Sequence, residues 1–274
     1  MTESISSRVS LTKEFSLPPI GLGTYSLKGE RLKSALDYAL EIGYRLIDSG
    51  SYYGNEEDIG KVIRESEINR EEILLTTKVW NTEQGYESTL KAFERSRKKL
   101  QVDYIDLYLI HWPVPILREE TWRALEHLYD EGLCRAIGVS NYYFPHLQEI
   151  IDNGRIVPMV NQIELHPFLN LSELLEFCRK NNIMVEAYSP LTNGYMLRDD
   201  KLLEIAKKYQ RTPAQMMIRW SIQTGVIPIP KSQRLERIAE NAEVFDFVIS
   251  AKDMEMMNSW HENLHTDWDP SDVR

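Results

Sequence analysis

Short apolar runs alternate with amphipathic stretches along almost the whole chain, and this alternation restricts the fold more than any other feature. Such alternation is typical of parallel strands joined by helices. The helical stretches carry their own start signals, as in the segment from Thr212 to Gln215, which has an N-cap, a proline at the first helical position and a capping box. We predict eight strands, at residues 20–25, 44–48, 72–79, 104–111, 135–141, 158–164, 183–189 and 226–231.

Eight strand–helix units in about 210 residues fit a closed (β/α)8 barrel of the TIM type. We expect a single α/β domain over residues 1–274, with an N-terminal hairpin before Pro18 and an extra C-terminal helix in the segment 250–264. A doubly wound open sheet is the alternative. That fold would require a phosphate-binding G-x-G-x-x-G after the first strand, and Ser26 stands where the third glycine belongs.

The composition argues against several classes of function. A net charge of -10, with basic residues scattered along the chain, disfavours a nucleic-acid binder. No apolar stretch reaches the roughly 18 residues that a membrane span needs, and the N-terminus lacks the layout of a signal peptide. We therefore expect a cytoplasmic monomer without nucleic-acid or membrane partners. Because Cys134 and Cys178 are far apart and His111 and His166 lack further ligands at suitable spacing, we expect reduced thiols and no metal.

Ionisable side chains close three neighbouring predicted strands. Asp48, Lys78 and His111 each stand where an apolar run ends, and Tyr52 and Tyr53 follow in the loop after the first of these runs. In a (β/α)8 barrel, the active site is built from the C-terminal ends of the strands and the loops that follow them. One such residue alone is typically a hydrogen-bonded structural group, but three on successive strands predict a shared site.

The chemistry of this set suits a proton donor. A tyrosine, with an ordinary pKa of about 10, is a poor acid at neutral pH unless a nearby cation stabilises its phenolate. Lys78 can supply that cation, Asp48 can hold it in place, and His111 can donate a second hydrogen bond to the same substrate oxygen. A donor aimed at a carbonyl oxygen that becomes an alkoxide is what reduction by a hydride donor requires.

The segments "GLGTY", "GYRLIDSGSYYGNE", "TTKVW", "DLYLIHWP", "IGVSNY", "NQIELHP", "AYSPL" and "IPKSQRLERIAEN" resemble the successive signature segments of the aldo-keto reductase family. The resemblance runs from about Gly21 to Asn241. It implies NADPH as the cofactor and a small carbonyl compound as the substrate. It also implies a catalytic tetrad with Tyr53 as the proton donor, formed by Asp48, Tyr53, Lys78 and His111.

The resemblance also assigns contacts to the cofactor. It implies that Ser140, Asn141 and Gln162 hold the nicotinamide carboxamide and that Tyr188 stacks on its ring. It places Ser189 and Leu191 along the pyrophosphate, and Glu240 and Asn241 at the adenine.

The stretch "KSQRLER" independently favours NADPH over NADH, because a 2'-phosphate requires positive charge and fixed donors. Lys231, Ser232 and Arg237 can provide both, since Arg offers a bidentate fork and Lys a point charge. Arg234 could join them, although we interpret it as a solvated surface charge.

The substrate side of the expected site is aromatic. Tyr25, Trp80 and Trp112 follow directly on strand-end motifs and could form the wall of an apolar pocket, with core packing as the alternative. The loop after His111 and the tail after Trp260 are short compared with many members of the family that the sequence resembles. This predicts an open pocket and a broad range of aldehydes and ketones. Two functions remain: an NADPH-dependent carbonyl reductase, or a sensor or scaffold that binds NADPH without useful turnover. The complete tetrad favours the enzyme.

Overall fold

The computed structural model describes residues 4–13 and 15–273, in which eight parallel strands follow one another around a closed barrel. A separate antiparallel hairpin, formed by β1 (Val9–Ser10) and β2 (Ser16–Leu17), precedes the barrel. The barrel strands are β3 (Leu22–Gly23), β4 (Leu46–Asp48), β5 (Leu74–Val79), β6 (Ile105–Ile110), β7 (Cys134–Ser140), β8 (Val160–Glu164), β9 (Met184–Tyr188) and β10 (Ile227–Pro228).

Helices connect the strands and surround them. They are α1 (Gly29–Glu41), α2 (Glu56–Glu65), α3 (Tyr86–Leu100), α4 (Arg118–Asp130), α5 (Phe144–Asn153), α6 (Ser172–Lys180), α7 (Asp200–Tyr209), α8 (Pro213–Gln223), α9 (Leu235–Ala242) and α10 (Ala251–Asn258). The start of α8 is as predicted, since Thr212 and Gln215 form a reciprocal capping box with Pro213 at the first helical position. No helix within the described ranges is both long enough and apolar enough to cross a membrane.

Every predicted strand is present, and the barrel is confirmed. Each strand from β3 to β10 pairs in parallel with its neighbours in sequence. Backbone hydrogen bonds from Gly21 N to Pro228 O (3.0 Å) and from Gly23 N to Pro230 O (3.1 Å) connect the first strand region to the last. The open doubly wound sheet is therefore wrong. Gly21 permits this closure, because a Cβ there would lie 2.8 Å from Ile229 Cγ2.

Side chains alternate between the barrel interior and the layer under the helices. On β6, Leu107 and Leu109 belong to the interior cluster, whereas Tyr108 and Ile110 pack in the larger core beneath the helices. Both faces of the strand are thus buried, which explains its continuous apolar sequence.

The two ends of the barrel differ. At the N-terminal ends of the strands, the predicted hairpin closes the interior, where Leu17 packs in one cluster with Leu46 and Leu74. The predicted extra helix is also present as α10, shorter than the segment that suggested it. Beyond it, an irregular C-terminal tail contacts Phe168 in the loop after β8, and its Trp268 lines a large cleft with Trp112 at the C-terminal ends of the strands.

Candidate active site

The barrel brings the predicted tetrad together at the C-terminal ends of the strands. Asp48 is the last residue of β4, Lys78 precedes the last residue of β5, and His111 directly follows β6. Tyr53 ends a short 3-10 turn, Ser51–Tyr53, that begins three residues after Asp48. Gly50 keeps this turn close to the next strands, because a Cβ there would lie 3.3 Å from His111 Cε1. The cleft over these residues has a volume of about 760 Å3.

Lys78 is the centre of the hydrogen-bond network. Its side chain has no exposed surface, and Nζ donates to Asp48 Oδ1 at 2.7 Å and Oδ2 at 2.8 Å and to the backbone oxygen of Ser49 at 2.7 Å. The hydroxyl of Tyr53 lies 3.3 Å from the same Nζ. An ammonium group has three hydrogens to donate, so Asp48 and Ser49 occupy most of its capacity and Tyr53 is its most distant partner.

The electrostatics correct one expectation. We predicted that Lys78 lowers the pKa of Tyr53, but burial, followed by the carboxylate of Asp48, raises the pKa of Tyr53 well above its ordinary value. The charge of Lys78 is largely neutralised by its direct contact with Asp48, so desolvation of the phenolate dominates. Burial and Lys78 together lower the pKa of His111 well below 6.5. At neutral pH the site therefore holds a protonated tyrosine and a neutral imidazole.

The two adjacent tyrosines face different partners. Tyr53 reaches Lys78, whereas the ring of Tyr52 stacks on Trp80, with centroids 3.9 Å apart and planes 19° apart. Tyr52 is 49% exposed at the mouth of the cleft. It therefore belongs to the wall of the pocket.

A layer of amides and hydroxyls lies beside the tetrad. The hydroxyl of Tyr188 donates to Asn141 Oδ1 at 2.7 Å, and Asn141 Nδ2 donates to the backbone oxygen of His111 at 3.0 Å. Ser140 Oγ donates to the backbone oxygen of Gln162 at 2.9 Å. All four predicted polar residues, Ser140, Asn141, Gln162 and Tyr188, line the cleft.

Sequence reasoning missed one buried acid in this layer. Glu186, on β9, is 1% exposed and accepts a hydrogen bond of 2.9 Å from Gln162 Nε2. The sequence did carry a signal: Glu186 stands two residues before Tyr188 in an apolar strand, so both side chains face the barrel interior. An acid on that face cannot be a solvated surface charge.

The cleft continues to a second, positively charged end. Lys231, Arg234 and Arg237 are exposed there and form no ion pair with any residue in the described ranges. Arg234, which we interpreted as a surface charge, thus lines the same cleft as the two predicted cations. The remaining predicted contacts, Ser189, Leu191, Ser232, Glu240 and Asn241, also line it.

Three of these contacts already have partners. Ser232 Oγ accepts a hydrogen bond from the backbone N–H of Arg234 at 3.1 Å. Ser189 Oγ donates to Asp267 Oδ2 at 2.8 Å, and the carboxylate of Glu240 accepts from the hydroxyl of Thr212, which caps α8. In contrast, the side-chain amide of Asn241 lines the cleft and forms no hydrogen bond within the described part of the chain. Asn241 is thus the more available of the two predicted adenine contacts.

The tail adds an aromatic side chain that the sequence analysis did not assign to the pocket. Tyr25, Trp80 and Trp112 line the cleft as predicted, but Trp268 packs beside them, with its ring 6.2 Å from Trp80 and 6.0 Å from Trp112 between centroids. The buried carboxylate of Glu164 holds the tail by accepting hydrogen bonds from the backbone N–H and hydroxyl of Thr266. No local sequence pattern connects residues this far apart along the chain.

Metal binding has no support in the side-chain arrangement. His166 Nε2 lies 3.4 Å from Glu164 Oε1, but within residues 4–13 and 15–273 no group of three or more His, Cys, Asp or Glu side chains could hold a metal ion.

Comparison with known proteins supports the resemblance. The sequence model of the Aldo/keto reductase family matches residues 19–262. The chain is 44% identical over 274 residues to the glyoxal reductase of Bacillus subtilis (strain 168), covering 100% of this chain and 99% of that protein.

Two solved structures share the fold. An aldo-keto reductase from a Medee basin deep-sea metagenome library has a TM-score of 0.92 at 45% identity, covering 95% of this chain and 97% of that one. An aldo-keto reductase of Bombyx mori in complex with NADP has a TM-score of 0.89 at 33% identity, covering 95% of this chain and 94% of that one.

Proposed function

The chain belongs to the aldo/keto reductase family, and we propose that it is an NADPH-dependent reductase of small aldehydes and ketones in which Tyr53 is the general acid. One observation carries this proposal. The Tyr53 hydroxyl lies 3.3 Å from a buried, paired Lys78, in a cleft that continues to exposed, unpaired cations. The end of the cleft at Tyr53 can deliver a proton to a carbonyl oxygen, and the end with the exposed cations can bind a phosphorylated cofactor.

The residues of the positive end fit the 2'-phosphate of NADPH. The protein as a whole carries a net charge of -10, so a group of unpaired cations in its cleft is a specific feature rather than a general property of the surface. Lys231 and Arg237, with the hydroxyl of Ser232, would hold this phosphate through charge-assisted hydrogen bonds. Arg234 is exposed and lines the same cleft, so its charge adds to the positive potential of Lys231 and Arg237.

The amide layer fits the other end of the cofactor. Both hydrogens of Gln162 Nε2 are donated within the protein, to Asp48 at 2.8 Å and to Glu186 at 2.9 Å, which leaves Oε1 as an acceptor for a carboxamide. Ser140 and Asn141 would complete this site, and the ring of Tyr188 would stack on the nicotinamide. Ser189 and Leu191 would follow the pyrophosphate, and Glu240 and Asn241 the adenine. When bound, NADPH would supply the hydride for reduction.

The tetrad has separate roles in moving the proton. Tyr53 holds its proton at neutral pH and donates it to the substrate oxygen as negative charge develops there. Lys78 stabilises the phenolate that Tyr53 becomes, and Asp48 holds the Lys78 side chain in place through two hydrogen bonds. His111 is neutral and can therefore donate one hydrogen bond to the same oxygen, in the manner of an oxyanion hole.

The aromatic wall supports neutral substrates of modest size. Tyr25, Trp80 and Trp112, together with Trp268 from the tail, surround the space above the tetrad. The similarity to a glyoxal reductase supports 2-oxoaldehydes as the first class to test.

A substrate screen tests the proposal. Purified protein would be given NADPH or NADH with glyoxal, methylglyoxal, an aromatic aldehyde, a keto-sugar and a keto-steroid, and cofactor oxidation would be followed by absorbance. We expect turnover with NADPH, best with the aldehydes, and a marked preference for NADPH over NADH. Tight NADPH binding without oxidation of the cofactor by any member of the panel would instead indicate the sensor or scaffold.

A further inference from the structure

Glu186 lies inside the barrel, next to the tetrad, without a role in the reaction described above. In the sheet it is paired in register with Gln162 of β8 on one side and Ile227 of β10 on the other. The charged groups that face it are Asp48 of β4 and Lys78 of β5. Its side chain is 1% exposed, so water does not replace these partners.

One amide connects the two carboxylates. Gln162 Nε2 donates to Asp48 Oδ1 at 2.8 Å and to Glu186 Oε2 at 2.9 Å. Because carboxylate oxygens accept hydrogen bonds, the nitrogen of this amide must face them, and its oxygen must point elsewhere. Glu186 and Asp48 together therefore fix the orientation of Gln162.

The charges in this layer do not balance. Asp48 receives two hydrogen bonds from Lys78, the one buried cation that faces the layer, whereas Glu186 Oε1 is buried without any hydrogen-bond partner in the described chain. Two buried carboxylates and one buried ammonium group leave one negative charge in excess, which is costly away from water. Binding a proton at the unpartnered Oε1 would remove this excess while leaving the bond from Gln162 intact.

We propose that Glu186 is a positioning residue of the reduction: it fixes the Gln162 amide against Asp48, and its charge sets how strongly the buried carboxylates oppose the ionisation of Tyr53. This inference rests on the proposed reductase function. Glu186 faces Asp48, the carboxylate that, after burial, raises the pKa of Tyr53. An ionised Glu186 therefore adds negative charge beside that carboxylate and opposes the ionisation of Tyr53 through it, whereas a protonated Glu186 does not. Burial, followed by Asp48, raises the pKa of Glu186 from 4.5 to about 7, so the two forms exchange within the working range of an enzyme.

The first test does not need catalysis. In the folded protein the pKa of Glu186 is raised above its unfolded value, so the folded state binds more protons between these values and loses stability as pH rises from 4.5 to about 7. Thermal unfolding of the cofactor-free protein at pH 5 and pH 8 would be compared for wild type and Glu186→Gln. The variant should be more stable relative to wild type at pH 8 than at pH 5. An identical difference in stability between variant and wild type at both pH values would show that Glu186 does not titrate in this range.

The second test measures the reaction. Glu186→Gln keeps an acceptor oxygen for Gln162 and mimics the protonated acid. We expect single-turnover NADPH oxidation by wild type to fall by roughly two- to fivefold between pH 6 and pH 8, since general acid catalysis depends only partly on donor acidity. The variant should react at the wild-type rate at pH 6, and its rate should not fall between pH 6 and pH 8. If the rate of Glu186→Gln still falls between pH 6 and pH 8, another group causes the decrease, and the proposal is contradicted.

A second variant separates positioning from charge. Glu186→Ala removes the partner of Gln162, so NADPH binding, measured by fluorescence quenching, should weaken at every pH, whereas Glu186→Gln should bind like wild type. Equal NADPH affinity in all three proteins would overturn the positioning role. A wild-type protein that binds NADPH but reduces nothing would contradict the proposed function, while the unfolding measurements would still report on Glu186.

Discussion

The two ends of the cleft treat charge in opposite ways. At the tetrad end, Lys78 is fully buried and is paired with Asp48 at 2.7 Å, whereas at the other end Lys231 and Arg237 are exposed and have no ion-pair partner among residues 4–13 and 15–273. A buried charge must be compensated within the protein, but an exposed one can be hydrated until a ligand arrives. The Lys78–Asp48 pair is therefore compensated before anything binds, whereas the charges of Lys231 and Arg237 are available to an anion.

The largest effect should come from Tyr53→Phe, which tests whether the tetrad end serves the chemical step. Loss of the hydroxyl removes the proton donor, and we expect single-turnover NADPH oxidation to slow by roughly 10²-fold or more, the usual scale of general acid catalysis. NADPH binding should hardly change, because the ring is kept.

Tyr52→Phe is the matched control for that experiment. The ring of Tyr52 stacks on Trp80, and within the described chain its hydroxyl is not among the hydrogen-bond partners of Lys78, so this variant should retain nearly the full rate. Equal losses in the two variants would mean that the reaction does not depend on the contact with Lys78.

The next largest effect concerns the positive end. Lys231→Ala or Arg237→Ala should weaken NADPH binding by roughly 10- to 100-fold and NADH binding little, since hydrogen bonds to charged groups are worth about 1.5 to 3 kcal/mol. The rate of the chemical step at saturating NADPH should stay near that of wild type. The measurement is a fluorescence titration with each cofactor.

Arg234→Ala is the matched control on the same surface. It removes one exposed charge from the cleft lining without removing a residue assigned to the phosphate, so its effect should be smaller and should fade as salt screens the field. If Lys231→Ala and Arg237→Ala impair NADH as much as NADPH, these residues support the fold or another part of the nucleotide.

A smaller effect is expected at the aromatic wall. Trp80→Ala and Trp112→Ala should change the ratio of kcat/KM between an aromatic and a small aldehyde by roughly 2- to 12-fold, because aromatic contacts are worth about 0.5 to 1.5 kcal/mol. NADPH affinity should stay unchanged.

A buried tryptophan provides the control for packing. Trp122 is 1% exposed, and its Nε1 donates to the backbone oxygen of Ile156 at 3.1 Å, so Trp122→Ala should lose about 3 to 5 kcal/mol of stability. Comparable losses of stability in Trp80→Ala and Trp112→Ala, with unchanged substrate preference, would support the core-packing alternative.

The sequence predicted the barrel and the placement of its strand-end residues because both depend on local periodicity. Asp48, Lys78 and His111 each follow an apolar run, and parallel strands bring such positions to one rim. Trp268 could not be predicted in the same way, because its contacts with Trp80 and Trp112 depend on the path of a tail without secondary structure. Its anchor, Glu164, is buried at the end of β8 and gave no local sign of its partner.

The directions of the pKa shifts were the second property that could not be predicted from the sequence. The sequence indicated which ionisable groups come together, but the direction of a pKa shift depends on how close each pair is and how much water remains. Lys78 was expected to act mainly on Tyr53, yet it contacts Asp48 more closely, at 2.7 Å against 3.3 Å. That the protein acts as a monomer in the cytoplasm stays a prediction.

The smallest expected effect tests whether burial or the charge of Lys78 determines the pKa of Tyr53. Since burial and Asp48 raise its pKa well above the ordinary value, Tyr53 should stay protonated throughout pH 8 to 9.5. This range lies above the titration of Glu186, so that group should contribute no change there. Tyrosinate absorbance near 295 nm would be recorded for cofactor-free wild type and Tyr53→Phe across this range, and the two curves should coincide. An additional tyrosinate in wild type, absent from Tyr53→Phe, would mean that the field of Lys78 outweighs desolvation. In that case the buried end of the cleft would resemble the exposed end, with a cation still able to act on a new anion, and the contrast between them would fail.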